Sequence, residues 1–280
     1  MPLKLMYITN SEDVAHIAEE AGVDRIFVDM EYIGKTDRQG GMDTVQSRHT
    51  ADDVRRLAQC LNKSELFVRV NPIHEKTDKY SSSKEEIDEV IEAGADLLML
   101  PYFKTAEEVQ TFVKYVDGRA KTVLLVETPE AAAIAENLVK IPGIDEMFIG
   151  LNDLSLGYGK NFMFELLLDG TVEELCLKFR KGGIPYGFGG IASLGKGMFP
   201  SEYVIKEHYR LGSTCAILSR SFCRTDQVTD LKEIQKIFET ELPKIRELEE
   251  ECRVYSEYFW KNRQQVETKI RQICECEDAK

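Results

Sequence analysis

Residues 122–150, TVLLVETPEAAAIAENLVKIPGIDEMFIG, contain two short apolar runs on either side of one amphipathic segment. The runs Thr122–Glu127 and Glu146–Gly150 have the length of buried strands, and Pro129–Val139 between them has helical spacing. A strand, a helix and a second strand in this order predict a parallel βαβ unit. The Glu127 carboxylate ends the first strand, and the Asp153 carboxylate follows shortly after the second.

The same alternation of strand and helix continues through most of the chain. Eight strands are expected, at Lys4–Thr9, Arg25–Glu31, Leu66–Val70, Leu97–Pro101, Thr122–Glu127, Glu146–Gly150, Pro185–Gly189 and Thr214–Ser219. Seven helices are expected between them, at Ser11–Ala21, Ala51–Leu61, Lys84–Ala93, Ala106–Tyr115, Pro129–Val139, Val172–Lys181 and Ser201–Arg210. This pattern predicts an α/β fold, a (β/α)8 TIM barrel with an extended C-terminal helical segment, and an open doubly wound sheet is the alternative.

The end of the chain is longer than a barrel requires. One closing helix needs about 10–15 residues, but residues 229–280 have helical composition almost throughout, with a break expected near Pro243. We therefore assign residues 1–228 to the barrel and 229–280 to a helical extension that packs on the barrel or on a neighbouring subunit. Four aromatic residues within 255–260 suit an interface anchor, and hence a homo-oligomer formed through the C-terminal helices; packing of this cluster within the chain is the alternative.

Composition narrows the class of protein. The net charge of −13, without a basic stripe, argues against an extended nucleic-acid partner. No apolar run approaches the roughly 20 residues that cross a bilayer, and the first residues lack the features of a signal peptide. Seven scattered cysteines are typical of a reduced, cytoplasmic protein. Cys274 and Cys276 are two zinc-type ligands without further partners nearby in sequence, so zinc is not favoured.

In barrels the active site lies at the carboxyl ends of the strands. Glu127 and Asp153 follow neighbouring strands, and two carboxylates at one mouth suit Mg²⁺ or Mn²⁺. Arg69 ends a third strand, where its guanidinium can bind a carboxylate or polarise a keto oxygen. The alternatives are a structural ion pair of Arg69 with Asp29 or Glu31, and carboxylates that pair with Arg69 and hold no metal.

Further candidates lie in the loops at the same end. Gly150, Leu151 and Asn152 can present backbone N–H groups to a substrate anion. A glycine-rich loop with Lys196 follows the seventh strand, and Arg220 and Arg224 follow the eighth, where barrels often bind phosphate. The alternative is a flexible loop with surface arginines.

Histidines and a long loop complete the candidates. His49 and His74 lie in loops after the second and third strands, where either is placed to act as a general base. The loop Ile33–Thr50, which also carries Lys35, Asp37, Arg38, Gln46 and Arg48, has the length and glycines of a lid.

The sequence resembles the HpcH/HpaI aldolase and citrate lyase beta-subunit superfamily over about residues 20–160. The matching stretches are IFVDME (26–31), VRVN (68–71), EAGADLLMLP (92–101), TAEE (105–108), LVET (125–128) and GIDEMFIGLNDLS (143–155). The resemblance implies an oligomeric barrel in which Glu127 and Asp153 hold Mg²⁺ or Mn²⁺ and Arg69 contacts the oxygen of a 2-oxo acid such as pyruvate. The family's pyruvate aldolases have histidine where Tyr32 stands and often glutamine where Leu125 stands. Tyr32 is a catalytic candidate by position, although an ordinary pKa of about 10 makes it a poor base.

Three functions are compatible with these residues. The first is a metal-dependent carbon–carbon lyase, aldolase-like, acting on a 2-oxo acid or β-hydroxy acid through an enolate, with His49, His74 or a water on the metal moving the proton. The second is a citrate-lyase-like enzyme for a CoA thioester or a phosphorylated or sugar-linked acid. The third is a catalytically degenerate barrel that acts as a binding or scaffold protein.

Overall fold

A computed structural model describes residues 1–35, 47–197 and 199–278, and it contains eight parallel strands in a closed barrel in sequence order. The strands are β1 (Lys4–Ile8), β2 (Arg25–Asp29), β3 (Glu65–Arg69), β4 (Leu97–Leu100), β5 (Lys121–Val126), β6 (Glu146–Ile149), β7 (Tyr186–Ile191) and β8 (Cys215–Leu218). The predicted (β/α)8 barrel is confirmed, and the open sheet is excluded.

Helices surround the barrel. They are α1 (Glu12–Glu20), α2 (Ala51–Cys60), α3 (Ser83–Glu92), α4 (Ala106–Val116), α5 (Pro129–Ala133), α6 (Ala135–Leu138), α7 (Leu151–Gly157), α8 (Glu165–Leu168), α9 (Thr171–Lys181), α10 (Ser201–Leu211), α11 (Leu231–Val254) and α12 (Tyr258–Asp278). Side chains cap the starts of two of these helices: Ser11 accepts a hydrogen bond from the Val14 N–H, and Thr105 forms a capping box with Glu108. The short helices α7 and α8 were not predicted.

The barrel interior is packed with side chains. Those that point inward from the strands are Met6, Phe27, Phe67, Leu97, Met99, Val123, Leu125, Phe148 and Cys215. A second apolar layer fills the space between strands and helices. The barrel is therefore a core with an open mouth only at the carboxyl ends of the strands.

A buried ion network closes the other end of the barrel. The Arg25 side chain is fully buried at the start of β2, and its Nη1 donates to Glu146 Oε2 at 2.7 Å. Its Nε donates to Glu65 Oε2 at 2.9 Å. Because a charge without a partner is costly in such an environment, the network ties β2, β3 and β6 together below the core.

The C-terminal helices pack on the barrel. Helix α11 packs on α1 and α10, the position of the eighth barrel helix, and α12 packs on α10 and α8. The expected boundary after residue 228 lies between β8 and α11. It therefore divides α11 from α1 and α10, the two helices on which α11 packs. The expected break near Pro243 is wrong, because α11 runs through it to Val254. Pro243 is exposed, so the carbonyl group that it leaves without a helical donor faces water.

The α11–α12 corner exposes apolar surface: Tyr255 and Trp260 are 66% and 72% exposed. No helix among the described residues is long and apolar enough to cross a membrane. The predicted lid lies mostly at residues 36–46, outside the described residues, as does the Cys276 side chain.

We expect Arg25→Met to lower the free energy of unfolding by about 3–5 kcal/mol, since it leaves the Glu146 carboxylate buried without its partner. Urea denaturation at pH 7 measures the loss. The control is Arg253→Met, which removes an ion pair with Glu250 at the surface and is expected to cost less than about 1 kcal/mol. Equal losses in the two variants contradict a structural role for the network.

Candidate active site

Two adjoining cavities occupy the mouth of the barrel. The central cavity, about 230 Å³, lies over the barrel axis and is lined by Glu127, Asp153 and Arg69 together with apolar strand residues. The β1–β8 cavity, about 530 Å³, lies to one side and is lined by His49 and Arg69 among others. Arg69 borders both, so the candidate residues from different strands do converge at one mouth.

Local backbone geometry holds the Glu127 carboxylate. Its Oε1 accepts the Tyr102 N–H at 2.9 Å, and Tyr102 presents that group from a left-handed conformation with φ 47°. On its other side Glu127 lies against Gly150, where a Cβ atom would stand 2.8 Å from Glu127 Cβ and 2.9 Å from Oε2. Only glycine at position 150 therefore permits this placement. Glu127 is 4% exposed.

Asp153 completes the pair of carboxylates. It lies in the first turn of α7, which begins directly after β6, and it is 8% exposed. Glu127 and Asp153 line the central cavity together, and they also line a third cavity of about 350 Å³ beside β4 and β5. Two largely buried carboxylates that face the same spaces form a set of hard oxygen ligands that fits Mg²⁺ or Mn²⁺ with positions left for substrate.

Another group of potential ligands, His16, Glu19 and Glu20, lies on α1. Glu19 already accepts hydrogen bonds from the N–H groups of residues 62, 63 and 64, just before β3, so it anchors the turn there. That turn lies at the opposite end of the barrel from the mouth, and the group is separate from the candidate active site.

A compact cluster of four charges orients Arg69. Its Nε and Nη2 donate to the two Asp29 carboxylate oxygens, each at 2.8 Å, and its Nη1 is 3.4 Å from Glu31 Oε2. Lys35 Nζ lies 2.6 Å from Asp29 Oδ2 and 3.7 Å from Glu31 Oε2. The predicted structural ion pair of Arg69 is thus present, and Arg69 still borders both cavities.

The pKa shifts follow from this cluster. Burial alone would raise the pKa of Asp29, but Arg69 and Lys35 outweigh it and hold that pKa well below its usual range. Burial alone would lower the pKa of Arg69, but Asp29 and Glu31 raise it further above its usual value. Both groups are therefore charged at any pH at which the protein works.

His49 is held in one tautomer. The Asp29 backbone N–H donates to its Nδ1 at 3.0 Å. A backbone N–H only donates, so Nδ1 is the acceptor and the proton of the neutral ring is on Nε2. Burial lowers the pKa of His49, which also favours the neutral ring. His49 lines the β1–β8 cavity, and its neutral ring carries a hydrogen-bond donor at Nε2.

Tyr32 supports His49 and is no base itself. Its hydroxyl donates to the His49 carbonyl oxygen, and burial raises the pKa of Tyr32 to about 12. The backbone at Tyr32 is fixed in turn, since Asn71 Oδ1 accepts its N–H at 2.8 Å and Glu86 Oε1 accepts the Asn71 side-chain N–H at 2.9 Å. Glu86, buried on α3, was missed, because a polar residue within an amphipathic helix gives no signal of an inward role.

Other candidates lie elsewhere or act differently. His74 contacts the carbonyl oxygens of Pro72 and Ser81 through its two ring nitrogens, at 2.7 and 2.8 Å, so it shapes its own loop. Lys196 is exposed and does not line the mouth cavities described here, which removes much of the support for a phosphate site. Arg220 lines the β1–β8 cavity, and Gly150, Leu151 and Asn152 line the central one.

Comparison with known proteins gives one family. The sequence profile of the HpcH/HpaI aldolase/citrate lyase family matches residues 4–166, which include Asp29, His49, Arg69, Glu127 and Asp153. No curated protein matches the sequence.

Solved structures share the fold. The chain is similar to the HpcH/HpaI aldolase from Desulfitobacterium hafniense DCB-2, with 15% identity, a TM-score of 0.60, and 84% of this chain and 93% of that chain covered. It is also similar to an HpcH/HpaI aldolase/citrate lyase family protein from Burkholderia cenocepacia J2315, with 17% identity, a TM-score of 0.61, and 84% of this chain and 95% of that chain covered. The citrate synthase SbnG has 15% identity and a TM-score of 0.58, with 84% of this chain and 94% of that chain covered.

We expect Lys35→Met to lower the free energy of unfolding at pH 7 by about 3 kcal/mol, because Asp29 and Glu31 then share Arg69 alone. The difference from the wild type should shrink in acid, once the pH falls below the pKa that Asp29 has in the variant, because Lys35 keeps the wild-type carboxylate ionised to a lower pH. Asp29 has a depressed pKa, so its stabilising effect is present above the pKa of the unfolded chain and is lost on acidification.

Urea denaturation at pH 7 and at pH 3 measures both effects. The matched control is Lys63→Met, which removes an exposed ion pair with Glu20 and is expected to change stability by less than about 1 kcal/mol. A loss in Lys35→Met that is larger at pH 3 than at pH 7 contradicts the account.

Proposed function

The chain belongs to the HpcH/HpaI aldolase/citrate lyase family, and we propose that it is a divalent-metal-dependent carbon–carbon lyase for a 2-oxo acid. The observation that supports this proposal best is that Glu127, Asp153 and Arg69 line one small cavity whose remaining walls are largely apolar. Two anions and one oriented cation among largely apolar walls suit a reaction that develops negative charge beside a carbonyl.

Glu127 and Asp153 would hold Mg²⁺ or Mn²⁺. A bound divalent cation would supply a Lewis acid for the carboxylate and keto oxygens of the 2-oxo acid and so stabilise the enolate formed when the bond breaks. The Tyr102 N–H and the absence of a side chain at Gly150 fix the Glu127 oxygens for this task.

Arg69 would stabilise the enolate oxygen with a second positive charge. Its bidentate hydrogen bonds to Asp29 fix the plane of the guanidinium, so little reorganisation accompanies the reaction. Leu151 and Asn152 line the same cavity at the start of α7 and would hold the substrate carboxylate.

His49 would act on the other fragment. Its neutral ring donates a hydrogen bond from Nε2 and thereby stabilises negative charge on the oxygen of the carbon that becomes, or was, an aldehyde. This assigns His49 an electrostatic role, and the family's histidine position is filled by Tyr32, which supports His49.

We expect Glu127→Gln and Asp153→Asn each to lower metal-dependent turnover by at least about 10²-fold, because each removes charge from the metal site. Enolate formation is detected directly by NMR. The measured quantity is the exchange of the C3 protons of pyruvate for deuterium in the presence of Mg²⁺ and without an aldehyde. Calorimetric titration with Mn²⁺ measures whether metal affinity falls in parallel.

The control is Glu107→Gln, which neutralises an exposed carboxylate on α4 and should exchange pyruvate protons at the wild-type rate. Exchange that persists in excess chelator, or Mn²⁺ binding that is unaffected by both site variants, contradicts the proposal. Wild-type protein that binds neither Mn²⁺ nor pyruvate favours the scaffold alternative.

A second prediction concerns the polarity of His49. We expect His49→Ala to lower kcat/KM for aldol cleavage by about 10²–10³-fold, the usual loss for one oxyanion donor, and His49→Gln to retain most of the activity because its amide also donates. Since burial lowers the pKa of His49, the wild-type kcat/KM should stay level as the pH falls from 7 through 6.5.

Steady-state kinetics across this pH range measure both effects, with His16→Gln on the exposed side of α1 as the control. If His49→Gln is as inactive as His49→Ala and wild-type activity falls below pH 6.5, then His49 is a base and the assignment is wrong.

A further inference from the structure

Three side chains on one face of α1 are potential metal ligands. His16, Glu19 and Glu20 occupy positions i, i+3 and i+4 of the helix, which project on the same side. One imidazole nitrogen and one oxygen of each carboxylate all lie within 4.8 Å of one another. Ligands four positions apart on a helix recur in zinc sites, so the spacing here is one that a metal ion can use.

The Glu19 carboxylate uses only one of its oxygens within the protein. Oε1 accepts the N–H groups of Asn62, Lys63 and Ser64 at 2.9, 2.6 and 2.8 Å. Oε2 is out of contact with solvent, and no donor among the described residues reaches it. Glu19 itself is 2% exposed. A buried oxygen of this kind is rare in folded proteins, so it indicates a ligand that is not part of the chain.

The charge of Glu19 narrows the class of that ligand. Burial alone would raise the pKa of Glu19, but the N–H groups of Ser64, Lys63 and Asn62 outweigh it and lower that pKa. The carboxylate is therefore ionised at neutral pH, and Oε2 carries part of the negative charge. Because a buried charge is costly without a partner, a cation suits this position better than a water molecule.

Lys63 supplies a positive charge nearby, but it pairs with Glu20. Its Nζ lies 2.8 Å from Glu20 Oε1, and the two side chains are 64% and 52% exposed. Exposed pairs of this kind contribute little stability, so a divalent cation can displace the ammonium group. His16 is exposed as well, and both it and Glu20 can therefore turn toward an ion.

We propose that His16, Glu19 and Glu20 form a zinc site at the end of the barrel opposite the mouth. The ion binds one imidazole nitrogen, Glu19 Oε2 and one Glu20 oxygen, and water completes the four ligands that zinc prefers. Imidazole suits zinc, whereas Mg²⁺ prefers oxygen ligands, so the site selects zinc over Mg²⁺. The ion joins α1 to the turn at residues 62–64 through the Glu19 carboxylate, and its role is structural.

The geometry requires only small movements. In a tetrahedral site with metal–ligand distances of about 2.0–2.2 Å, two ligand atoms stand roughly 3.3–3.6 Å apart. Three hydrogen bonds hold Glu19 in place, so this residue fixes where the ion binds. The exposed His16 and Glu20 side chains close the remaining distance by rotation about their χ angles.

NMR of the histidine rings tests the site directly. In protein with ¹³C-labelled histidine rings, we expect Zn²⁺ to shift the His16 resonance, which the spectrum of His16→Ala identifies by its absence. Titration of this shift measures the affinity at α1 itself, whether or not zinc also binds at the mouth. Glu19→Gln and Glu20→Gln should each lower that affinity by at least about tenfold, because each removes a charged ligand. Glu19→Gln retains an oxygen for the three N–H groups and should keep the fold.

Lys63→Met tests the same site in the opposite direction. It removes the ammonium group that competes for Glu20, so zinc should bind a few-fold more tightly than in the wild type. The control is Glu107→Gln, which neutralises an exposed carboxylate on α4 and should leave the affinity unchanged.

Three outcomes overturn the inference. They are a His16 resonance that does not move at millimolar Zn²⁺, wild-type affinity in either Glu19→Gln or Glu20→Gln, and binding to Lys63→Met that is no tighter than to the wild type. The titration contains neither Mg²⁺ nor substrate, so its result is independent of the proposed function. Assays with Mg²⁺ alone leave the α1 site without zinc, and turnover in them does not depend on His16.

Discussion

The site depends on Asp29 at the end of β2. The barrel register places Asp29 directly beside Arg69 on β3. Its carboxylate accepts hydrogen bonds from two nitrogens of Arg69 and from Lys35 Nζ. Its backbone N–H donates to His49 Nδ1 and so fixes that ring. One residue therefore orients two cations and one imidazole. Because strand pairing sets its position, Asp29 lies beside Arg69 as soon as β2 and β3 pair in the barrel.

This arrangement also determines which carboxylates at the mouth form ion pairs with Arg69. The ion pairs of Arg69 are made with Asp29 and Glu31, and Glu127 acts on it as a nearby charge. The sequence left open whether Arg69 instead pairs with the metal-site carboxylates. Its close contacts go to the β2 carboxylates, and Glu127 and Asp153 line the cavities beside it, where under the proposed function they would hold a divalent cation.

The sequence predicted the strands to within two residues because buried parallel strands are short, continuous apolar runs. It placed Glu127 and Asp153 correctly at the mouth because the barrel rule depends only on strand ends. It missed α7 and α8, whose few residues follow β6 without a strong periodic pattern. It also misjudged Pro243, since the cost of proline in a helix depends on exposure, which only the packing of α11 decides. The burial of Glu86 could not be predicted either, because it also depends on how its helix packs.

The tyrosine at position 32 shows how a family comparison and a structure answer different questions. The resemblance to the family's pyruvate aldolases implies that a histidine is missing at Tyr32. In the structure an imidazole is nevertheless present beside β2, supplied by His49 and held by Tyr32. The Asp29 N–H that positions the ring also fixes its polarity, because it can only donate. The ring of His49 therefore offers a hydrogen-bond donor, and under the proposed function it would stabilise charge on an oxygen, as Arg69 would in the adjoining cavity.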